Sequence, residues 1–188
     1  MRLSAPRITP LEEKDWSDEA REQLGRSLES GRVYNIFCTL ARYPKLLKRW
    51  LPFANHVLFK SALPPREREI LILRIGWLCQ AEYEFAQHVV IGRRAGLSDA
   101  DIERIVAGPA AAGWDPFEAT LVRAADELHR DAFVSDATWQ ALGARYGVEQ
   151  LMDVVFTVGQ YNLVSMALNS LGVQLDPGLE GFSRWRRA

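Results

Sequence analysis

Ten consecutive residues, Cys79-Gln80-Ala81-Glu82-Tyr83-Glu84-Phe85-Ala86-Gln87-His88, gather one thiol, two carboxylates, a phenol and an imidazole. On a helix running from Ala81 each residue advances by about 100°, so Ala81, Glu84 and His88 fall on one stripe. Glu84 and His88 are four positions apart and their side chains can meet. A carboxylate beside an imidazole raises its pKa and can fix its tautomer, which makes a general acid/base unit. Glu82 and Tyr83 leave the same helix on other sides. The residues also admit plainer readings. A Glu/His pair at this spacing is common on exposed helices, Tyr83 can be a packed ring with one satisfied hydroxyl, and Cys79 can be a small buried hydrophobe. A metal would need a third ligand, for which Glu69 or Glu82 would have to serve. No metal and no cofactor is expected.

The elements that must position these groups are helical. Ala20, Leu24 and Leu28 fit one helix begun by Ser17-Asp18-Glu19. A short helix over 35–43 stops before Pro44. Leu46, Trp50, Phe53, Ala54, Val57 and Leu58 then follow the helical spacing. Pro64-Pro65 marks the start of a helix over 66–78, with Ile70, Leu73 and Trp77 on one side. Gly76 and the run Trp77-Leu78-Cys79-Gln80 suggest a break or kink. The motif helix follows over 81–94 and ends at Ala95-Gly96. Further helices are expected over 99–106 behind Ser98, over 117–130, from Ser135-Asp136 to Tyr146-Gly147, and over 149–171. No useful segment alternates with period two. The fold class is all-α, with an extended tail over 173–188, where Pro177 and Gly178 interrupt any helix.

Bulk properties narrow the function. A net charge of −1 gives no general attraction to nucleic acid or to anionic membranes. The most basic stretch, Arg184-Trp185-Arg186-Arg187, reads as a solvated end. The N-terminus lacks the apolar core of a signal peptide. No run approaches the roughly 18 uninterrupted apolar residues of a membrane span. Two cysteines, Cys38 and Cys79, do not make a disulfide scaffold at this size, so a reducing cytoplasm is the default location.

Three stretches stand out together: Leu63-Pro64-Pro65-Arg66-x-Arg68-Glu69 with Leu73-Arg74, then Cys79-x-Ala81-Glu82-Tyr83-Glu84-Phe85-x-x-His88, then Ala95-Gly96-Leu97-Ser98-x-x-x-Ile102. In this they resemble the carboxymuconolactone decarboxylase family, within the alkylhydroperoxidase D-like superfamily. The likeness covers about residues 45–172 and leaves an N-terminal extension over 1–44 and the tail over 173–188. It implies an oligomeric helical bundle, a homotrimer or a hexamer built from trimers, acting on a small molecule. The peroxidase branch of that superfamily carries a Glu, then Cys-x-x-Cys, then a His four residues on. Placing His88 on that histidine places Glu69 on the glutamate, and Ala81 and Glu84 on the two cysteines. Both redox thiols are therefore missing. Cys79 lies two residues early and lacks a second thiol to resolve a disulfide. A proton-relay role for Glu69 and His88 carries over, and the peroxidase chemistry does not.

The reading that follows is a cofactor-free, decarboxylase-type lyase acting on a small carboxylated or lactone compound. Arg74 would hold the substrate carboxylate, or else pair with Glu69 or Glu84. His88 would protonate, Glu84 or Glu69 would set its charge, and Tyr83 would donate a hydrogen bond. His56, on the preceding helix, is a possible second base or an interfacial histidine. His129 suits a helix C-terminus. Gln160, Tyr161 and Asn162 interrupt an apolar helix and would line the pocket or pin a subunit contact. Two alternatives stand beside the lyase. One is a peroxiredoxin-type activity through Cys79. The other is a non-enzymatic oligomer that binds a ligand.

Overall fold

A computed structural model describes residues 3–29 and 33–185. Among them the chain forms nine α-helices and two short 3₁₀ turns, with no strand. The helices are α1 (Asp18–Glu29), α2 (Asn35–Leu40), α3 (Pro44–Phe59), α4 (Pro65–Leu78), α5 (Glu82–Arg94), α6 (Asp99–Ala107), α7 (Pro116–Asp131), α8 (Asp136–Gly143) and α9 (Val148–Leu171). Leu28, assigned above to the inward stripe of the first helix, lies outside the residues whose side chains are described.

Local chemistry sets the boundaries. Proline opens α3, α4 and α7, where its missing N–H has no helical partner to lose. The Ser98 hydroxyl accepts from the Asp101 N–H while Asp101 accepts from the Ser98 N–H, a reciprocal cap that starts α6. At α7 and α8 the cap runs one way: Asp115 accepts from the Phe117 and Glu118 N–H groups, and Ser135 from the Thr138 N–H. Gly172 ends α9 at φ 73°, and a Cβ there would come within 3.0 Å of the Arg7 N and 3.1 Å of the Ala5 O. The N-terminal segment crosses at that point, and the N–H groups of Arg7 and Ile8 donate to the Leu171 carbonyl.

Helix α4 sits at the centre, packed on α5, α7 and α9. Ile70, Leu71, Ile72, Leu73 and Ile75 are all fully buried, so its inward side extends well beyond the stripe of Ile70, Leu73 and Trp77. From Glu69 to Gly76 the helix is buried on every side, as a core helix is. Its buried polar residues must then be paired, since an unpaired buried charge costs far more than a hydrogen bond returns. Glu67 meets Arg145 and Tyr146. Arg74 meets Asp126. Glu69 meets His88.

The last segment is not a solvated tail. Phe182 and Trp185 are buried in the main core, where Phe182 stacks edge-on against Trp77 and Phe85. Arg184 pairs with Glu180 and Asp99. Arg186 and Arg187 lie outside the described residues. Helix α9 is long and apolar enough, by length and composition, to cross a membrane, although no uninterrupted apolar run exists in it. Half of its most apolar window is buried inside the fold, as in a core helix.

Candidate active site

The chain leaves α4 at Cys79, turns through Gln80 at φ 53°, and re-enters helix at Glu82. The Ala81 N–H closes the turn on the Gly76 carbonyl at 2.9 Å. A left-handed residue other than glycine is uncommon, and here it reverses the chain within a single residue. The reversal lays α5 back along α4 and brings Glu69 opposite His88, nineteen residues away.

The imidazole of His88 is then held from both sides. Nδ1 is 2.7 Å from Glu69 Oε2, and Nε2 is 2.9 Å from Glu84 Oε1. The second contact is the i, i+4 pair expected from spacing. All three residues are buried, Glu69 completely and the others to within a few per cent. The other oxygen of Glu69 accepts from Arg68 Nε at 3.2 Å, and the Arg68 side chain keeps 11% of its exposure. The Tyr161 ring of α9 packs edge-on to the imidazole with centroids 4.9 Å apart.

Burial by itself favours the neutral ring. The charge and hydrogen bond of Glu69, then those of Glu84, outweigh it and raise the His88 pKa to about 10. His88 is therefore an imidazolium at neutral pH and donates to both carboxylates. Burial, followed by the charges of Glu84 and Glu69, pushes the Tyr161 phenol well above its ordinary range and keeps it protonated. The two carboxylates lie against opposite edges of the ring and cannot share one metal ion with it. Among the described residues no three such side chains converge on a metal position.

Other residues singled out by sequence lie elsewhere. Arg74 does not pair with Glu69 or Glu84. Its guanidinium is taken up bidentately by Asp126 of α7 and by the carbonyls of Ile105 and Val106, so it is not available to a substrate. Tyr83 donates to Asp176 at 2.6 Å and accepts from Gln87 and the Ile36 N–H, which ties α5 to the C-terminal segment. Glu82 accepts from the Phe182 N–H. His56 is half-exposed, 3.7 Å from Asp153. Cys79 donates to Asn162 Oδ1 at 3.0 Å, and its sulfur lies 3.8 Å from His129 Nδ1. Cys38 bonds to the Val33 carbonyl in a separate apolar cluster with α1 and α3.

Arg68 received no role from sequence, although it adjoins Glu69 in the motif. Tyr161 and Asn162, expected to line the pocket or pin a subunit contact, divide between two neighbourhoods, Tyr161 at His88 and Asn162 at Cys79. A cavity of about 100 Å³ opens between α2, α3 and α9, lined by Leu46, Trp50, Leu163 and Leu171 among others. Neither it nor the smaller cavity of about 10 Å³ beside Tyr83 is lined by His88.

Residues 44–127 match the family model described as the carboxymuconolactone decarboxylase family. That stretch contains Arg68, Glu69, Glu84 and His88 and stops short of Tyr161. No curated protein matches the sequence. Among solved structures, the alkylhydroperoxidase AhpD core protein from Ralstonia eutropha, an uncharacterized peroxidase-related protein, superposes with TM-score 0.82 at 19% identity, over 93% of this chain and 94% of that one. An uncharacterized peroxidase-related protein from Silicibacter sp. gives TM-score 0.79 at 16% identity over 93% and 95%. The debrominase Bmp8, in complex with 2,3,4-tribromopyrrole, gives 0.75 at 13% over 90% and 91%. At these identities the likeness is one of fold. The chain is therefore similar, over residues 44–127, to the carboxymuconolactone decarboxylase family, and it has the all-helical alkylhydroperoxidase D-like fold.

Proposed function

We propose that the protein is a cofactor-free acid/base enzyme of the decarboxylase type, acting on a small carboxylated or lactone compound at Glu69, His88 and Glu84. The observation that carries this reading is a buried imidazolium clamped between two carboxylates, with Arg68 behind one of them. An acid with a pKa near 10 keeps its proton at neutral pH and yields it only to a strong base. A carbanion or enolate is such a base. In decarboxylation of an acid whose β,γ double bond is conjugated to a lactone carbonyl, the bond to the carboxylate breaks, carbon dioxide leaves, and the electron pair passes through the double bond to that carbonyl oxygen as a dienolate. The Nε2 proton then passes to carbon, and solvent restores it. Since Arg74 is engaged with Asp126, the cation that holds the substrate carboxylate is assigned to Arg68. The Tyr161 ring packs edge-on against the imidazole. Two cysteines in 188 residues fit a reducing cytoplasm.

A second reading has one observation in its favour. The contacts of Cys79 with His129 and Asn162 place a thiol beside a base, as peroxide chemistry would need. One experiment separates the two. Carbon dioxide release from a panel of unsaturated lactone acids in deuterated water, with deuterium appearing at the product carbon, is expected for the wild type and for Cys79→Ser. His88→Gln and Glu69→Gln are expected to lose about 10²–10⁴-fold in rate. Unchanged turnover in His88→Gln would overturn the lyase reading. Peroxide consumption that disappears in Cys79→Ser would transfer the chemistry to the thiol.

A further inference from the structure

The cavity of about 100 Å³ between α2, α3 and α9 lies where two apolar clusters meet. One cluster, with Leu24 and Leu47, joins the N-terminal helices. The other, with Tyr83, Val164 and Leu168, joins α5 to α9. Trp50 packs against both and forms part of the cavity wall. The cavity has a closed floor and an open mouth. Leu47, Leu168 and Val173 are buried, whereas Leu46 and Leu163 are 47% and 51% exposed.

Two of the lining side chains are polar and none is charged. The Thr39 hydroxyl donates to the Asn35 carbonyl at 2.8 Å, which leaves it to act as an acceptor. Trp50 Nε1–H can only donate, and it is buried with no acceptor among the described residues. A buried donor without a partner has given up its hydrogen bond to water and gained none, so such groups are rare in native folds. The orphan donor and the cavity wall are one side chain.

We propose that this cavity is a binding site for a small neutral molecule, apolar apart from one acceptor oxygen, such as a cyclic or short-chain ketone, ester or lactone. The acceptor oxygen sits on Trp50 Nε1. The molecule is neutral because no lining group pairs with a charge, and an unpaired charge is costly to bury. The remainder is apolar because, Thr39 aside, the other walls are aliphatic. A closed apolar cavity of about 150 Å³ takes benzene, so one of about 100 Å³ with an open mouth takes a ring of five or so atoms with its edge at Leu46 and Leu163. Water is the poorer occupant. The space holds about three molecules at roughly 30 Å³ each, and Trp50 and Thr39 supply too few partners for them. His88 does not line the cavity, so the site stands whether or not Glu69, His88 and Glu84 are catalytic.

The test is titration of the full ¹⁵N-labelled chain with cyclopentanone, read at the indole N–H resonances. The Trp50 signal is the one missing from Trp50→Phe. It is expected to move downfield and to saturate in the millimolar range, which suits so small a ligand. Trp50→Phe is expected to bind cyclopentanone about tenfold more weakly, the loss of one hydrogen bond, and to bind cyclopentane, the same ring without the oxygen, as the wild type does. Ala167→Leu fills the cavity and leaves the indole in place, so its Trp50 signal is expected to ignore cyclopentanone with helical circular dichroism intact. His88→Gln is expected to bind unchanged. A wild-type Trp50 signal that does not respond, equal affinity of Trp50→Phe and wild type for the ketone, or cyclopentanecarboxylate binding as tightly as cyclopentanone would overturn the proposal. So would a Trp50 signal that moves with protein concentration alone, which would assign the cavity to a side chain of a second copy.

Discussion

Each nitrogen of His88 faces its own carboxylate, so the two contributions can be removed one at a time. Neutralising the outer one, in Glu84→Gln, leaves Glu69 and its hydrogen bond in place and takes away the smaller of the two stabilising partners of the imidazolium. The ring proton resonances of His88, followed by NMR against pH, are expected to titrate near 10 in the wild type and lower in Glu84→Gln. A midpoint unchanged by the substitution would show that Glu84 does not act on the ring. Removing the inner partner is harsher. Glu69 is fully buried, and Glu69→Ala leaves His88 and Arg68 without their shared anion, a loss on the order of 3–5 kcal/mol for a broken buried pair. Glu69→Gln is for that reason the variant suited to activity measurements.

At the scale of elements, the C-terminal segment is attached by a few specific bonds. Asp176, 4% exposed, accepts from the Tyr83 hydroxyl and from Gln87 at 2.6 Å each, and from the Asn35 N–H at 3.1 Å. It joins α2, α5 and the segment after α9 at one carboxylate. Asp176→Ala strands three donors and is expected to raise amide exchange over residues 173–185 and the start of α2, with α4 unaffected. Exchange unchanged in that segment would mean that the Glu82 and Arg184 contacts and the packing of Phe182 and Trp185 hold it without Asp176.

The element scale also marks how much the sequence discloses. The helices and most of their caps were legible because Ser98, Ser135 and the prolines act locally, while the Asp115 cap of α7 emerged only in the structure. Glu84 with His88 was legible because both lie on one helix, and Glu69 joined them through the family spacing. Arg68 and the partner of Arg74 were not legible, and Tyr161 was legible only as a residue that lines the pocket or pins a subunit contact. Each depends on which face of α4 meets α5, α7 or α9, and α4 is buried on all sides, so no stripe distinguishes its faces. The tail misled for a related reason. Pro177 and Gly178 do exclude a helix, but they say nothing of where Phe182 and Trp185 pack.

For the molecule as a whole, the clamped imidazolium links stability to pH. The folded pKa of His88, raised to about 10, lies above its value of about 6.5 in an unfolded chain. The folded state therefore binds the proton more tightly. Its contribution to stability is complete below pH 6.5, declines as the pH rises between the two values, and is gone above about 10. Urea midpoints measured from pH 6 upward are expected to fall across that window in the wild type and to stay flatter in a Glu69→Gln, Glu84→Gln protein. Parallel curves for the two proteins would detach the effect from His88.

One feature of the site bears on how a substrate would arrive. Arg68, Glu69, His88 and Glu84 form a row in which the sign of charge alternates along bonded contacts of 3.2, 2.7 and 2.9 Å. Opposed dipoles so close together cancel within a few ångströms, and the chain as a whole carries only −1. No long-range field guides an anion inward or turns one away. Capture then depends on shape and contact at the last step, and the second-order rate constant for a carboxylated substrate is expected to vary little between low and high ionic strength. A steep fall with added salt would reveal a steering charge outside the row.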